Sequence, residues 1–389
     1  MIARIFIYIL LMIVLSDIYI DAHYIRHLKN IRWWKRLLWW LPDILMVIYT
    51  ILLASVKNYA PDNLSWLNVY LFLIGFMVIP KAFFALCSII GWGYCKLNHS
   101  RKNWGNFVGL LLALITIYIL IYGSTIGFRK LVIRHVDYYS KDLPASFEGY
   151  KIIQWSDAHV GVYTGSRVTI LQRAIDSINA QKADVILFTG DLQNMAPQEM
   201  YRHIGRLSSL KAKDGVFSVL GNHDYSKYIG GTPDQKRANE RETIKLEKSF
   251  GWNLLRNENH SIQRGKDSII IAGEENDGKP PFPQLGDIKK TLKGTSNKNF
   301  IVMLQHDPSA WRRSILPKSN AQLTLSGHTH AMQFEIFGKS PASWLYSEWG
   351  GMYYSGDRAM NVSVGLGGFV PFRFGASGEI VVIKLHKSK

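Results

Sequence analysis

The apolar positions along the chain follow two patterns, and the change between them lies near residue 128. Before this point, four long runs with few charges cover residues 2–20, 37–56, 66–94 and 107–128. Each run is near or above the ~20 residues that a helix needs to cross a bilayer. Tryptophans cluster at the start of the second run, as is typical of the level where lipid headgroups begin. The pattern predicts an all-α block of four transmembrane helices.

After residue 128 the apolar runs become short, and amphipathic stretches separate them. Five runs, at residues 151–155, 185–188, 216–220, 300–304 and 323–325, are β-branched or aromatic and too short for helices. This alternation predicts a layered α/β domain. We therefore assign residues 1–128 to a transmembrane domain, 129–149 to a linker and 150–389 to the α/β domain.

Polar side chains follow each of the five predicted strands. In chain order they are Asp157 and His159; Asp191; Asn222, His223 and Asp224; His306; and His328 and His330. In α/β folds functional side chains gather where strands end, so we expect these residues to converge on one site. The i, i+2 spacing within the first and last pairs predicts an extended chain that aims both members to the same side.

These residue types are typical ligands of transition metals. Carboxylate oxygens with imidazole nitrogens suit Mn, Fe or Zn, and the lack of cysteine in this part of the sequence argues against a closed structural zinc site. Each histidine taken singly is more often structural, so the prediction depends on the whole set. Seven ligands are too many for one ion, whereas two divalent ions sharing a carboxylate can clamp both oxygens of a phosphoryl displacement.

The ordered motifs resemble those of the calcineurin-like metallophosphoesterase family. They are SDAHVG at 156–161, GDLQN at 190–194, GNHD at 221–224, His306 and GHTH at 327–330. The resemblance covers residues 150–385, and the ending GLGGFVPFRFGASGEIVVIKL resembles the membrane-associated phosphodiesterase branch. Ala158 and Gln305 depart from the family pattern without removing a ligand. The resemblance implies a four-layer αββα sandwich with two mixed sheets between helices.

The resemblance also implies a role for each motif residue. Asp157, His159 and His330 would hold the first metal, Asp191 would bridge, and Asn222, His306 and His328 would hold the second. His223 would contact the phosphate and assist the leaving oxygen, with Asp224 orienting its ring. A water or hydroxide between the metals would attack phosphorus in line.

The formal net charge of +17 is shared by both parts of the chain. Lysines and arginines that flank spans and face anionic headgroups explain this excess, and the sequence lacks the signatures of a nucleic-acid-binding protein. The loops after the first and third runs are basic, so the positive-inside rule predicts an extracytoplasmic catalytic domain on a membrane like the bacterial inner membrane. Arg129, Lys130 and Arg134 argue for the opposite side.

Lys81 interrupts the third run directly after Pro80. An intramembrane charge is by default a functional hypothesis. The simpler interpretation is that the helix breaks here, or that neighbouring helices bury the ammonium. Cys87 and Cys95, at the end of the same run, are interpreted as packing residues.

The sequence thus predicts a membrane-anchored hydrolase of a phosphodiester, pyrophosphate or phosphomonoester, with a lipid-linked or cell-envelope substrate and the bilayer as partner. The alternative is a catalytically silent scaffold or sensor with the same fold, although the complete ligand set counts against it. A transporter would rest only on Lys81 and the four spans.

Overall fold

A computed structural model describes residues 2–29, 31–61 and 63–388. The chain forms two compact units. The first ends at Ser124 and also includes Tyr228–Gly230, and the second begins at Thr125 and contains the remaining residues.

The first unit consists of apolar helices. They are α1 (Phe6–His23), α2 (Trp33–Ala54), α3 (Leu64–Leu73), α4 (Ile79–Leu97) and α5 (Trp104–Tyr122). Among the described residues, four segments are long and apolar enough to cross a membrane: Phe6–His27, Trp33–Ala54, Leu64–Leu97 and Trp104–Gly127. At most 33% of any span is buried within the protein, so most of its apolar side chains face outward, where lipid solvates them. The four predicted spans are confirmed.

The third span does not break at Pro80. A π-helical turn, Ile74–Val78, joins α3 to α4 and carries the span past the proline. The ammonium of Lys81 lies 2.9 Å from Asp17 Oδ1 on α1 and also pairs with Asp43 on α2. The structure therefore agrees with the interpretation that neighbouring helices bury this charge.

The second unit contains two six-stranded sheets. Its strands are β1 (Leu131–Ser140), β2 (Lys151–Trp155), β3 (Val185–Phe188), β4 (Val216–Ser218), β5 (Asn253–Leu254), β6 (Glu258–Arg264), β7 (Asp267–Gly273), β8 (Phe300–Leu304), β9 (Leu323–Ser326), β10 (Gly351–Ser355), β11 (Arg358–Val362) and β12 (Gly378–Lys387). The strand order is β1-β12-β2-β3-β4-β5 in the first sheet and β10-β11-β9-β8-β7-β6 in the second. Both sheets mix parallel and antiparallel pairs.

Helices cover the outer faces of both sheets. They are α6 (Val168–Ala180), α7 (Ile204–Leu207), α8 (Pro233–Ser249), α9 (Ile288–Thr291) and α10 (Leu316–Lys318). Successive residues of a strand point to opposite faces. Accordingly Ile153 and Ile186 pack with α6, whereas Ile152 and Val185 meet the inner face of the second sheet. Because both faces of the central strands are buried, the strands read as continuous apolar runs. The four-layer αββα sandwich is confirmed.

The five predicted strands are present as β2, β3, β4, β8 and β9, whereas the predicted linker 129–149 is wrong. Residues 131–140 form β1, which pairs in parallel with β12 over ten residues. Phe128 is 2% exposed and stacks on Tyr163 at 6.0 Å between ring centroids, so the chain joins the core of the second unit before β1 begins.

Candidate metal centre

The five strands place their carboxyl ends together. β2, β3 and β4 run parallel in the first sheet, and β8 and β9 run parallel in the second. Among the described residues, two groups of ligand atoms form here, each within 4.8 Å of one another: Asp157, His159, Asp191 and His330; and Asp191, His306 and His328. Asp191 belongs to both groups. The structure therefore brings the predicted residues to one edge, called the metal edge below.

The first group contains two imidazoles and two carboxylates. The Nε2 atoms of His159 and His330 are 3.2 Å apart. His330 Nε2 lies 3.3 Å from Asp157 Oδ1, and His159 Nε2 lies 3.7 Å from Asp191 Oδ2. Nitrogens that face one another beside carboxylate oxygens form a donor set that fits a divalent transition metal.

The second group is completed by an amide oxygen. His306 Nε2 is 3.2 Å from both Asp191 Oδ2 and Asn222 Oδ1, and Asn222 Oδ1 is 2.7 Å from His328 Nδ1. His306 Nδ1 donates to the Thr189 carbonyl at 2.7 Å, which fixes the tautomer and turns the Nε2 lone pair toward Asp191. This set also fits a divalent cation.

The electrostatics favour neutral imidazoles in the first group. Burial lowers the pKa of His159 to about 3 and that of His330 well below its usual value, so both rings offer a lone pair. For His306, burial opposes protonation but Asp191 raises the pKa to about 10. The Asp191 carboxylate thus favours a positive charge beside it. A bound divalent cation would supply that charge in place of the proton on His306. The residues present fit two such ions.

Two pairs of ligands are spaced i, i+2 in the sequence: Asp157 with His159, and His328 with His330. Both pairs reach the metal edge through left-handed backbone rather than through an extended chain. The φ angles are 52° at Asp157, 46° at His159, 74° at His328 and 51° at His330. Such angles are strained for residues other than glycine, and they cluster at functional sites. The expected alternation of an extended strand is therefore wrong here, although both members of each pair still reach the same cluster.

Close approach between motif loops requires glycine. A Cβ added at Gly190 would lie 2.6 Å from the Gly221 nitrogen and 2.8 Å from His306 Nδ1. Gly190 also has φ of +97°. Both the space and the backbone conformation exclude a side chain at this position.

His223 is more exposed than the adjoining motif residues. Its Nδ1 bonds to the Asn194 carbonyl at 2.5 Å, so a hydrogen is on Nδ1. Asp224 does not supply this bond. Its two oxygens accept the backbone N–H groups of Asp191, Leu192, Gln193 and Gly221 at 2.8–3.2 Å. The expected role of orienting the ring is thus taken by Asn194, while Asp224 holds two motif loops together.

Several residues of this centre were missed by sequence reasoning because each is single and belongs to no repeated motif. Tyr346 OH bonds to His328 Nε2 at 2.8 Å. The ring centroid of Phe369 lies 5.7 Å from that of His223. Arg373 is fully buried within the segment that follows β11. The apolar character of the FVPFRF stretch gave no chemical signal.

Comparisons with known proteins agree with this geometry. A family model described as Calcineurin-like phosphoesterase matches residues 150–332, and one described as Probable Calcineurin-like phosphoesterase, transmembrane domain, matches residues 3–128. The Bacillus subtilis protein named Uncharacterized metallophosphoesterase YkuE is 33% identical over 259 residues, which cover 63% of this chain and 82% of that protein. The chain belongs to the calcineurin-like phosphoesterase family.

Two further relatives span both units of this metallophosphoesterase. The zebrafish Transmembrane protein with metallophosphoesterase domain is 26% identical to this chain over 336 residues, which cover 84% of this chain and 73% of the zebrafish protein. Uncharacterized metallophosphoesterase Cj0846 of Campylobacter jejuni is 25% identical and covers 100% of both chains. Together with the four apolar spans, these matches establish a membrane-associated metallophosphoesterase.

Proposed function

We propose that this metallophosphoesterase is a membrane-anchored, binuclear-metal hydrolase of a phosphodiester, pyrophosphate or phosphomonoester bond in a lipid-linked or cell-envelope substrate. The observation that supports it most is the position of Asp191. Its Oδ2 lies 3.7 Å from His159 Nε2 in one ligand group and 3.2 Å from His306 Nε2 in the other. One carboxylate shared by two adjacent groups is the arrangement that a two-metal phosphoesterase needs.

Each residue of the metal centre has a proposed role in this reaction. Asp157, His159 and His330 would hold one ion, Asn222, His306 and His328 the other, and Asp191 both. When bound, Mn, Fe or Zn ions supply Lewis-acid activation of water and of the phosphoryl oxygens. His223 keeps the hydrogen on Nδ1 bonded to the Asn194 carbonyl and, when its ring is protonated, donates the Nε2 hydrogen to the leaving oxygen. Asp224 keeps the Asp191 and His223 loops at a fixed separation through four backbone hydrogen bonds.

We propose further that the catalytic unit lies on the extracytoplasmic side of a membrane like the bacterial inner membrane. The support is the basic character of the loops that follow α1 and α4, because such loops are retained in the cytoplasm. A membrane-impermeant amine reagent applied to intact cells should modify Lys266 or Lys298 on the catalytic unit. Modification only after lysis would place this unit in the cytoplasm.

The decisive experiment compares full-length wild type with Asp191→Ala in detergent, using Mn and two chromogenic substrates, a phosphodiester and a phosphomonoester. The full chain is used because Phe128 belongs to the core of the catalytic unit. Asp357→Ala is the matched control, since Asp357 pairs with Lys141 and its side chain is 72% exposed. We expect Asp191→Ala to lose at least about 100-fold in activity.

Either result is informative for the proposal. Loss of activity and of bound metal in Asp191→Ala alone supports the binuclear hydrolase, and the preferred ester narrows the substrate class. If wild type binds two ions but turns over neither ester with any divalent metal, either the enzyme is specific for a lipid substrate or the silent scaffold becomes the better account.

A further inference from the structure

A short exposed segment, here called the lip, lies between two contacts of the metal centre. It comprises residues 331–345, directly after His330. Tyr346, which bonds to His328 Nε2 at 2.8 Å, follows its last residue. The exposed apolar side chains of the lip, with their exposed fractions, are Met332 (42%), Ile336 (39%), Phe337 (100%), Trp344 (84%) and Leu345 (61%). Large apolar side chains therefore contact solvent beside the metal centre.

The tip of the lip is a strained turn that presents a phenylalanine. Ile336 and Lys339 exchange two backbone hydrogen bonds of 2.9 and 3.0 Å, so Phe337 and Gly338 form a two-residue hairpin turn. The φ angle of Phe337 is 51°, a left-handed value that is unfavourable for a bulky residue. The fold thus holds Phe337 in an unfavourable backbone conformation and in full exposure, which suggests a function at the tip.

The lip is firmly attached to the rest of the catalytic unit. Gln333 Nε2 donates to the carbonyls of Val370 and Phe372 at 2.9 and 2.6 Å. The Glu335 N–H donates to the Phe374 carbonyl at 2.7 Å. These bonds fix the apolar side chains relative to the metal centre, so their exposure does not arise from fraying.

The chain enters the catalytic unit at the metal edge. β1 runs parallel to β12, and β12 runs antiparallel to β2, so β1 begins at the edge where β2 ends. The last span ends at Gly127 and β1 starts at Leu131. Four residue steps separate Gly127 from Leu131, so the two residues lie at most about 14 Å apart even in an extended chain. The metal edge is therefore the edge from which the chain passes into the membrane span.

We propose that the lip inserts into the bilayer surface and that the metal centre consequently opens toward lipid headgroups. Trp344 and Phe337 are the residue types that bind at the interface between headgroups and acyl chains. Exposed Lys339 lies at the turn, and Lys279 Nζ donates to the Leu345 carbonyl at 3.3 Å, so both ammonium groups can meet anionic headgroups. This surface goes beyond the proposed function, because it does not depend on which bond is hydrolysed.

The test uses the full chain in vesicles of neutral and anionic phospholipid. Cys87→Ser and Cys95→Ser remove the native thiols, and Phe337→Cys carries an environment-sensitive fluorophore. Tyr354→Cys is the matched control, because Tyr354 is 60% exposed and lies near the end of β10 that is farther from the metal edge. Lipids bearing a nitroxide near the headgroup should remove most of the fluorescence at position 337 and little at position 354.

A second label, introduced by Trp344→Cys, guards against a disturbed turn at position 337. Quenching at either lip position, without quenching at position 354, supports insertion. Absence of quenching at both lip positions, or equal quenching at position 354, overturns it. If both lip positions are shielded from a soluble quencher in detergent but are not quenched by nitroxide lipids, insertion is overturned. The lip is then assigned to a contact between two copies of this chain. The readout is independent of hydrolysis, so an inactive protein with a quenched lip would refute only the proposed function.

Discussion

Replacing Arg373 by methionine should loosen the segment that supports both Asp157 and His223. Arg373 is fully buried, and its guanidinium donates five hydrogen bonds of 2.5–3.1 Å to the carbonyls of Val364, Gly365, Gly367 and Ala376. The same segment reaches the metal centre, because the Gly367 N–H donates to the Asp157 carbonyl at 2.8 Å. Methionine retains an apolar stem but offers no donor.

The size of the effect follows from those contacts. A hydrogen bond to a charged group contributes roughly 1.5–3 kcal/mol net, which sets an upper sum of about 6–12 kcal/mol for four carbonyls. The cost of burying the guanidinium offsets several kcal/mol of this. A net loss of about 3–5 kcal/mol is therefore expected, as for removal of one partner of a buried charged network. For a unit of this size the loss corresponds to a decrease in Tm of roughly 6–20 °C.

The assay is thermal unfolding of the full chain in detergent, together with metal content after dialysis. Lys141→Met is the control, since Lys141 pairs with Asp357 and both side chains are exposed, at 65% and 72%, and an exposed pair contributes at most about 1 kcal/mol. We expect Arg373→Met to unfold earlier and to retain less metal than the control. A Tm and metal content equal to those of Lys141→Met would refute this account of the segment.

Three further outcomes are expected. Tyr346→Phe removes the hydroxyl that bonds to His328 Nε2, so metal affinity should fall about 10–100-fold in a chelator competition assay. Lys81→Met leaves two buried carboxylates without a cation in the membrane unit and should destabilise it by about 3–5 kcal/mol in thermal unfolding. Burial raises the pKa of Glu274 to about 7 from 4.5, so the folded chain retains a proton that the unfolded chain releases. Glu274 should therefore contribute a fall in stability of roughly 3 kcal/mol as the pH rises from 4.5 to 7, and Glu274→Gln should reduce the wild-type fall by about this amount.

Matched controls exist for all three. Tyr354→Phe alters an exposed tyrosine and should leave metal affinity at the wild-type value. Lys57→Met alters an exposed lysine outside the spans, and equal effects of the two lysine variants would contradict a buried ionic cluster. Glu258→Gln alters an exposed glutamate, and an equal pH dependence of stability in both glutamate variants would exclude a contribution from Glu274.

The metal ligands could be predicted from the sequence because each follows a strand that is recognisable locally. Motifs such as GNHD and GHTH concentrate the chemistry in a few positions, and parallel strands carry their ends to one edge. The left-handed backbone at Asp157 and His328 could not be predicted, because the hydrogen bonds from the His328 N–H to the Asp157 carboxylate join two loops that are distant in sequence. Tyr346 and Arg373 act as single residues, and no periodicity marks a side chain that bonds to another segment's carbonyl or imidazole.

The strand β1 was missed for a related reason. Its sequence, LVIRHVDYYS, mixes apolar and charged residues and follows a membrane span directly, as a linker would. What makes it a strand is β12, which is more than 230 residues away in sequence. Pairing at such a distance leaves no local signature in either segment.

The position of β12 also has a consequence for biogenesis. It lies between β1 and β2 in the first sheet, yet it is the last of the described strands to be synthesised. While the ribosome is still producing the residues before Gly378, the spans have already emerged, and the facing edges of β1 and β2 have no partner. Open strand edges and late long-range pairing favour aggregation and slow folding. The nascent catalytic unit therefore cannot complete its first sheet until β12 has been synthesised, and the facing edges of β1 and β2 stay open until then.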